Sequence, residues 1–129
     1  MSRAFLFLCG LLYLGFGLWV LLSPEGGLAY LQTELNHVNA LSDLRGSHGG
    51  LNVAVGLFLL YSATAPDWHR YGLLLVGLLN VGYLGGRLVA LLADGPPDGM
   101  VQAAMVLELV LSVVAFVLAG RTRPQALRA

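Results

Sequence analysis

The 129-residue sequence contains no lysine, a single cysteine and few charges of either sign. Charged residues make up 11% of the chain, against about 25% in an ordinary soluble domain. One cysteine, Cys9, excludes a disulfide framework. A formal net charge of zero excludes the electrostatic footprint of a nucleic-acid binder. The chain also lacks a metal-spaced His/Cys set, a Cys-x-x-Cys pair and a serine nucleophile elbow, so no catalytic residue, metal or cofactor is expected. Apolar residues fill the space instead, at 57% of the chain and a mean hydropathy of +0.77, which excludes disorder and points to the lipid bilayer as solvent.

A helix crosses a hydrocarbon core with roughly 20 mostly apolar residues. Four stretches approach that length, about 4–22, 46–63, 71–93 and 100–120. They predict an all-α, antiparallel four-helix transmembrane bundle forming one domain over residues 1–129. Ser23-Pro24-Glu25-Gly26-Gly27 stops the first helix. Pro66 suits the first turn of the third, and Pro96-Pro97 the approach to the fourth. A secretory signal peptide competes for residues 1–22, but the uncharged run from Ala4 to Leu22 is longer than a signal core and no Ala-x-Ala site follows.

Arginine placement orients the bundle. Arg3, Arg70, Arg121, Arg123 and Arg128 fall on one face of a four-span topology, whereas Glu25, Glu34, Asp43, Asp94 and Asp98 share the other with Arg45 alone. Positive residues in short loops stay inside, so both termini are expected in the cytoplasm and the protein in the inner membrane. The long connection, residues 23–44, is expected to carry a short amphipathic turn through Ala29, Tyr30, Leu31 and Leu35, with Asn39 capping a helix that starts at Ala40.

Helix association in lipid depends on small residues that let backbones approach. Gly46, Gly50 and Ala54 on the second helix, and Gly82 and Gly86 on the third, repeat at four-residue spacing and predict packing seams. They serve the bundle itself or a homo-oligomer. Leu11-Leu12-Tyr13-Leu14-Gly15-Phe16 also faintly resembles Leu78-Leu79-Asn80-Val81-Gly82-Tyr83, as two parallel helix hairpins would.

Two charges lie inside predicted spans, Arg87 and Glu108, and intramembrane charges are functional candidates by default. Arg87 lies about 9 Å inward from Ala93 and Glu108 about 12 Å inward from Met100 at about 1.5 Å per residue, so an ion pair between the two neighbouring helices is expected. Arg45, His48 and Asn52 on the second helix share an α-helical face, as do Asn80, Tyr83 and Arg87 on the third and Met105, Glu108 and Ser112 on the fourth. A pocket in the outer half is expected from Arg45, His48, Asn52, Tyr83, Arg87 and Glu108, with a lipid head group or small anionic molecule as its guest. The competing view of the same residues is structural: a self-neutralised pair with inter-helix hydrogen bonds.

Leu44-Arg45 followed by Gly49-Gly50-Leu51, Gly86-Arg87 before Asp94-Gly95-Pro96-Pro97, and then Glu108 resemble the pattern of a family of small four-span bacterial membrane proteins of unknown function. The resemblance covers nearly the whole chain and implies the fold and the membrane location. It implies no activity, and an aromatic residue often stands in the family where this chain has His48. The absence of lysine fits a GC-rich bacterial genome. Function is therefore expected to be non-enzymatic binding at the polar pocket. Two alternatives remain: an accessory subunit packed into a larger membrane complex through its glycine seams, and an oligomeric small-solute transporter.

Overall fold

The computed structural model describes residues 1–29 and 37–122, and all regular structure among them is helical. The chain divides into two compact units, Arg3–Thr64 and the segment from Ala65 onward together with Met1–Ser2. Three helices are long and apolar enough to cross a membrane: Ser2–Leu22, Pro66–Ala93 and Gly99–Arg121. Their surfaces carry large apolar side chains such as Leu8, Leu12, Leu78, Leu92, Val106 and Leu107 turned outward, the reverse of a water-soluble domain.

In the first unit, α1 (Ser2–Leu22) buries Leu6, Cys9, Gly10, Gly17 and Val20, a stripe at three- and four-residue spacing. Pro24 opens a single turn, α2 (Pro24–Gly27), and the chain folds back on α1. A Cβ at Gly27 would lie 2.8 Å from Val20 Cγ2 and 3.3 Å from its Cα, so any larger residue here forces a shift of α1 or the turn. The expected amphipathic turn falls, apart from Ala29, outside the described residues. The next helix, α3 (Val38–Leu44), starts two residues earlier than expected, because His37 and not Asn39 caps it. His37 Nδ1 accepts the Asn39 backbone N–H at 3.2 Å, which satisfies one of the helix's orphan donors.

A single α-helical second span over 46–63 is not what forms. Helix α3 runs into a π-helical segment, Arg45–Gly50, and then into the 14-residue α4 (Leu51–Thr64). The sequence Arg-Gly-Ser-His-Gly-Gly explains the local change: three glycines weaken the α-helix, and the Leu51 N–H reaches back five residues to the Gly46 carbonyl. This wider turn resets which residues face α1. Close approach uses Gly10, Gly17, Gly49 and Gly56: a Cβ at Gly17 would lie 2.6 Å from Val53 N, and one at Gly56 2.5 Å from Leu14 N. The expected seam residues Gly46 and Gly50 make no such approach within the unit, and Ala54 is exposed.

The second unit is an antiparallel hairpin. A 3₁₀ turn, Pro66–Trp68, leads into α5 (His69–Ala93), and a short connection leads to α6 (Gly99–Arg121). Gly95 takes φ of +99°, which an L side chain rarely adopts, and Asp98 caps α6 by accepting the Val101 N–H at 2.9 Å. At the far end Arg70 Nη1 donates to the carbonyls of Ala119, at 3.4 Å, and Thr122, at 3.2 Å, tying the start of α5 to the last turn of α6. Between these ends Leu73, Val76, Ala115 and Ala119 are buried, and a Cβ at Gly77 would meet the Phe116 ring at 2.7 Å.

Candidate functional site

The six residues selected as a pocket divide between the two units. Arg45, His48 and Asn52 belong to the first; Tyr83, Arg87 and Glu108 belong to the second.

In the hairpin, Arg87 Nε donates to Glu108 Oε1 at 2.9 Å. Side-chain exposure is 24% for Arg87 and 11% for Glu108. Arg87 stands six residues before the end of α5 and Glu108 nine residues after the start of α6, or about 9 and 13 Å along the two axes from the connecting turn. The pair is made through one nitrogen and one oxygen. Among the described residues the remaining guanidinium nitrogens of Arg87 have no hydrogen-bond partner, and Glu108 Oε2 is buried with none. A guanidinium and a carboxylate can engage through two parallel bonds, so this pair leaves binding capacity on both partners.

Around the pair, Tyr83 lies one turn from Arg87 and is 37% exposed. Ser112, one turn from Glu108, donates to the Leu109 carbonyl at 2.9 Å and is spent on its own helix. Asn80, two turns from Arg87, is buried and donates to the Val76 carbonyl at 2.8 Å. Gln102 turns back to the connection, where it donates to the Pro97 carbonyl at 2.8 Å.

In the first unit the π-turn interrupts the α-periodic stripe expected of Arg45, His48 and Asn52. Arg45 is exposed, and its Nε donates to the Leu21 carbonyl at 3.2 Å, capping the end of α1. His48 is half-buried, with Nδ1 2.9 Å from Ser47 Oγ. Asn52 is buried, and its Nδ2 donates to the His48 carbonyl at 2.7 Å, a side-chain bond onto the backbone of the π-turn itself. Sequence reading passed over that turn, although the glycine triplet with Ser47 and His48 is a poor α-helix former. Ser62, a polar group toward the end of α4, is buried, and its Oγ has no hydrogen-bond partner among the described residues. No group of three or more potential metal ligands occurs among the described residues.

A model of the family described as Domain of unknown function (DUF4345) matches residues 1–119. The chain belongs to that family. The match includes the π-turn, the Gly95 connection and both members of the Arg87–Glu108 pair, and it ends before Arg121. No curated protein matches the chain, and no solved structure does. Membership in DUF4345 carries no activity with it, so a functional reading of this member rests on its own residues.

Proposed function

We propose that this DUF4345 member is a four-span integral protein of the bacterial inner membrane with both termini cytoplasmic. In this reading it binds a lipid head group or small anionic ligand at the Arg87–Glu108 centre, without catalysing a reaction. One observation carries the reading: among the described residues the single-bond pair at 2.9 Å leaves the terminal nitrogens of the partly exposed Arg87 and the buried Oε2 of Glu108 without partners. Unsatisfied polar groups are costly in a low-dielectric setting. A purely structural pair would gain by engaging both bonds. Arg45, exposed beside the end of α1, supports an additional lipid-phosphate contact at the interface.

Native mass spectrometry of the protein gently extracted from its own membrane tests this, with the Arg87→Met/Glu108→Leu variant as comparison. A defined adduct on the wild type that vanishes in the variant is expected. A folded variant with the same adduct overturns the site.

A second reading is favoured by α5. No described atom lies within 4 Å of a Cβ built at Gly82, Gly85 or Gly86. These small residues support an accessory role in which a partner helix of a larger complex, or a second copy, packs on α5. A co-purifying subunit released by Gly82→Leu or Gly86→Leu would favour it.

A further inference from the structure

Deepening that reading of the Arg87–Glu108 centre, and resting on it, we infer that its guest is zwitterionic: an anionic phosphate or carboxylate joined to a protonated amine that bears N–H groups. Within the hairpin the centre holds one cation and one anion, so a zwitterion keeps it neutral. A simple anion would add a net charge where desolvation makes net charge expensive. It would also lie beside Glu108 and leave Oε2 unsatisfied. A simple cation would lie beside Arg87 and leave the guanidinium donors unused.

A zwitterion answers both deficits. Its anionic oxygens accept from the terminal nitrogens of Arg87, which the bond to Glu108 through Nε leaves free among the described residues. Its ammonium donates to the second oxygen of Glu108. Oε2 is shielded where it stands, but the last torsion of a glutamate has a broad minimum. Binding requires that torsion to turn far enough to uncover Oε2 while Oε1 stays within reach of Arg87 Nε. The four charged groups, guanidinium, carboxylate, guest anion and guest ammonium, then form a closed ring of charge-assisted bonds. A quaternary ammonium cannot close it, having no N–H to give.

The full chain in detergent micelles, titrated with soluble probes and read by native mass spectrometry, tests the inference. The probes are dihexanoyl phosphatidylethanolamine, the matching phosphatidylcholine and phosphatidic acid, and free phosphoethanolamine. The ethanolamine lipid is expected to bind about tenfold more tightly than the other two lipids, the worth of one charge-assisted hydrogen bond, and Glu108→Gln is expected to abolish that preference. Binding of free phosphoethanolamine as tight as that of the lipid identifies a small-molecule guest; binding of the lipid form alone identifies a head group. Equal binding of all three lipids overturns the zwitterion while leaving an anion site in place. No binding of any probe overturns both. The comparison of ethanolamine with choline needs no variant, so it decides the matter even if Glu108→Gln fails to fold. A preference retained by the Arg87→Met/Glu108→Leu variant places the guest elsewhere and also overturns the inference.

Discussion

Gly17 of α1 faces Gly49 of the π-turn so closely that a methyl group on Gly17 would lie 2.8 Å from the Gly49 carbonyl oxygen. The same methyl would lie 2.6 Å from the Val53 backbone nitrogen. Backbone cannot swing aside as a side-chain end can. Two helices in lipid gain their attraction from such approach, because apolar side chains have no water to escape.

Gly17→Ala is therefore expected to destabilise the protein by about 1–3 kcal/mol, the range for overpacking. Gly15→Ala, two residues away with nothing within 4 Å, is expected to be neutral or to stabilise by up to about 1 kcal/mol, since glycine is a poor helix former. Thermal unfolding of both variants in the same detergent checks the contrast. Equal effects would mean that α1 does not meet the π-turn at Gly17.

Breaking the ion pair from one side should cost more than removing it. Glu108→Leu alone leaves Arg87 uncompensated and is expected to cost about 3 kcal/mol. Glu108→Gln should cost less, because its amide oxygen still accepts from Nε. Arg87→Met with Glu108→Leu should recover most of the loss, and the double-mutant cycle gives the coupling directly. Additive losses would mean that the 2.9 Å bond contributes nothing to stability.

The two ends of the hairpin are tied by different devices, so their loss should be local. Asp98→Ala removes the cap on Val101 N and is expected to cost about 1 kcal/mol. Arg70→Ala frees the carbonyls of Ala119 and Thr122. Hydrogen exchange should rise near 99–102 in the first variant and near 118–122 in the second, each without the other.

Topology can be decided by placing cysteines in a Cys9→Ala background. If the helical run Val38–Thr64 crosses the bilayer, Gly26→Cys and Asp67→Cys lie on opposite faces. An impermeant maleimide on intact cells then labels position 26 and not position 67. Labelling of both places the run on the surface and reduces the spans to the three long helices.

Gly77→Ala drives a methyl into the Phe116 ring, 2.7 Å away, and is expected to lower the melting temperature in detergent. Phe116→Leu on the same chain should restore part of it. No rescue would show that the cost arises elsewhere on α5.

Much of this molecule follows from local sequence alone. Apolar length decides α1, α5 and α6, since each helix satisfies its own backbone groups whatever lies beside it. Pro24, Pro66 and the Asp94–Asp98 connection punctuate those helices through backbone preference, which is local too. The facing of Arg87 and Glu108 could be counted out from a short turn between neighbouring helices. Packing could not be counted out in the same way. A count in α-helical turns selected Gly46, Gly50 and Ala54, but the π-turn at Arg45–Gly50 shifts the register, so Gly49 and Gly56 meet α1 instead. The register is decided jointly by Gly17 pressing on the turn and by Asn52 bonding its His48 carbonyl, and no single segment contains both. Periodicity reads one helix at a time; which of its faces is used depends on the shape of the helix opposite, and that only the tertiary structure decides.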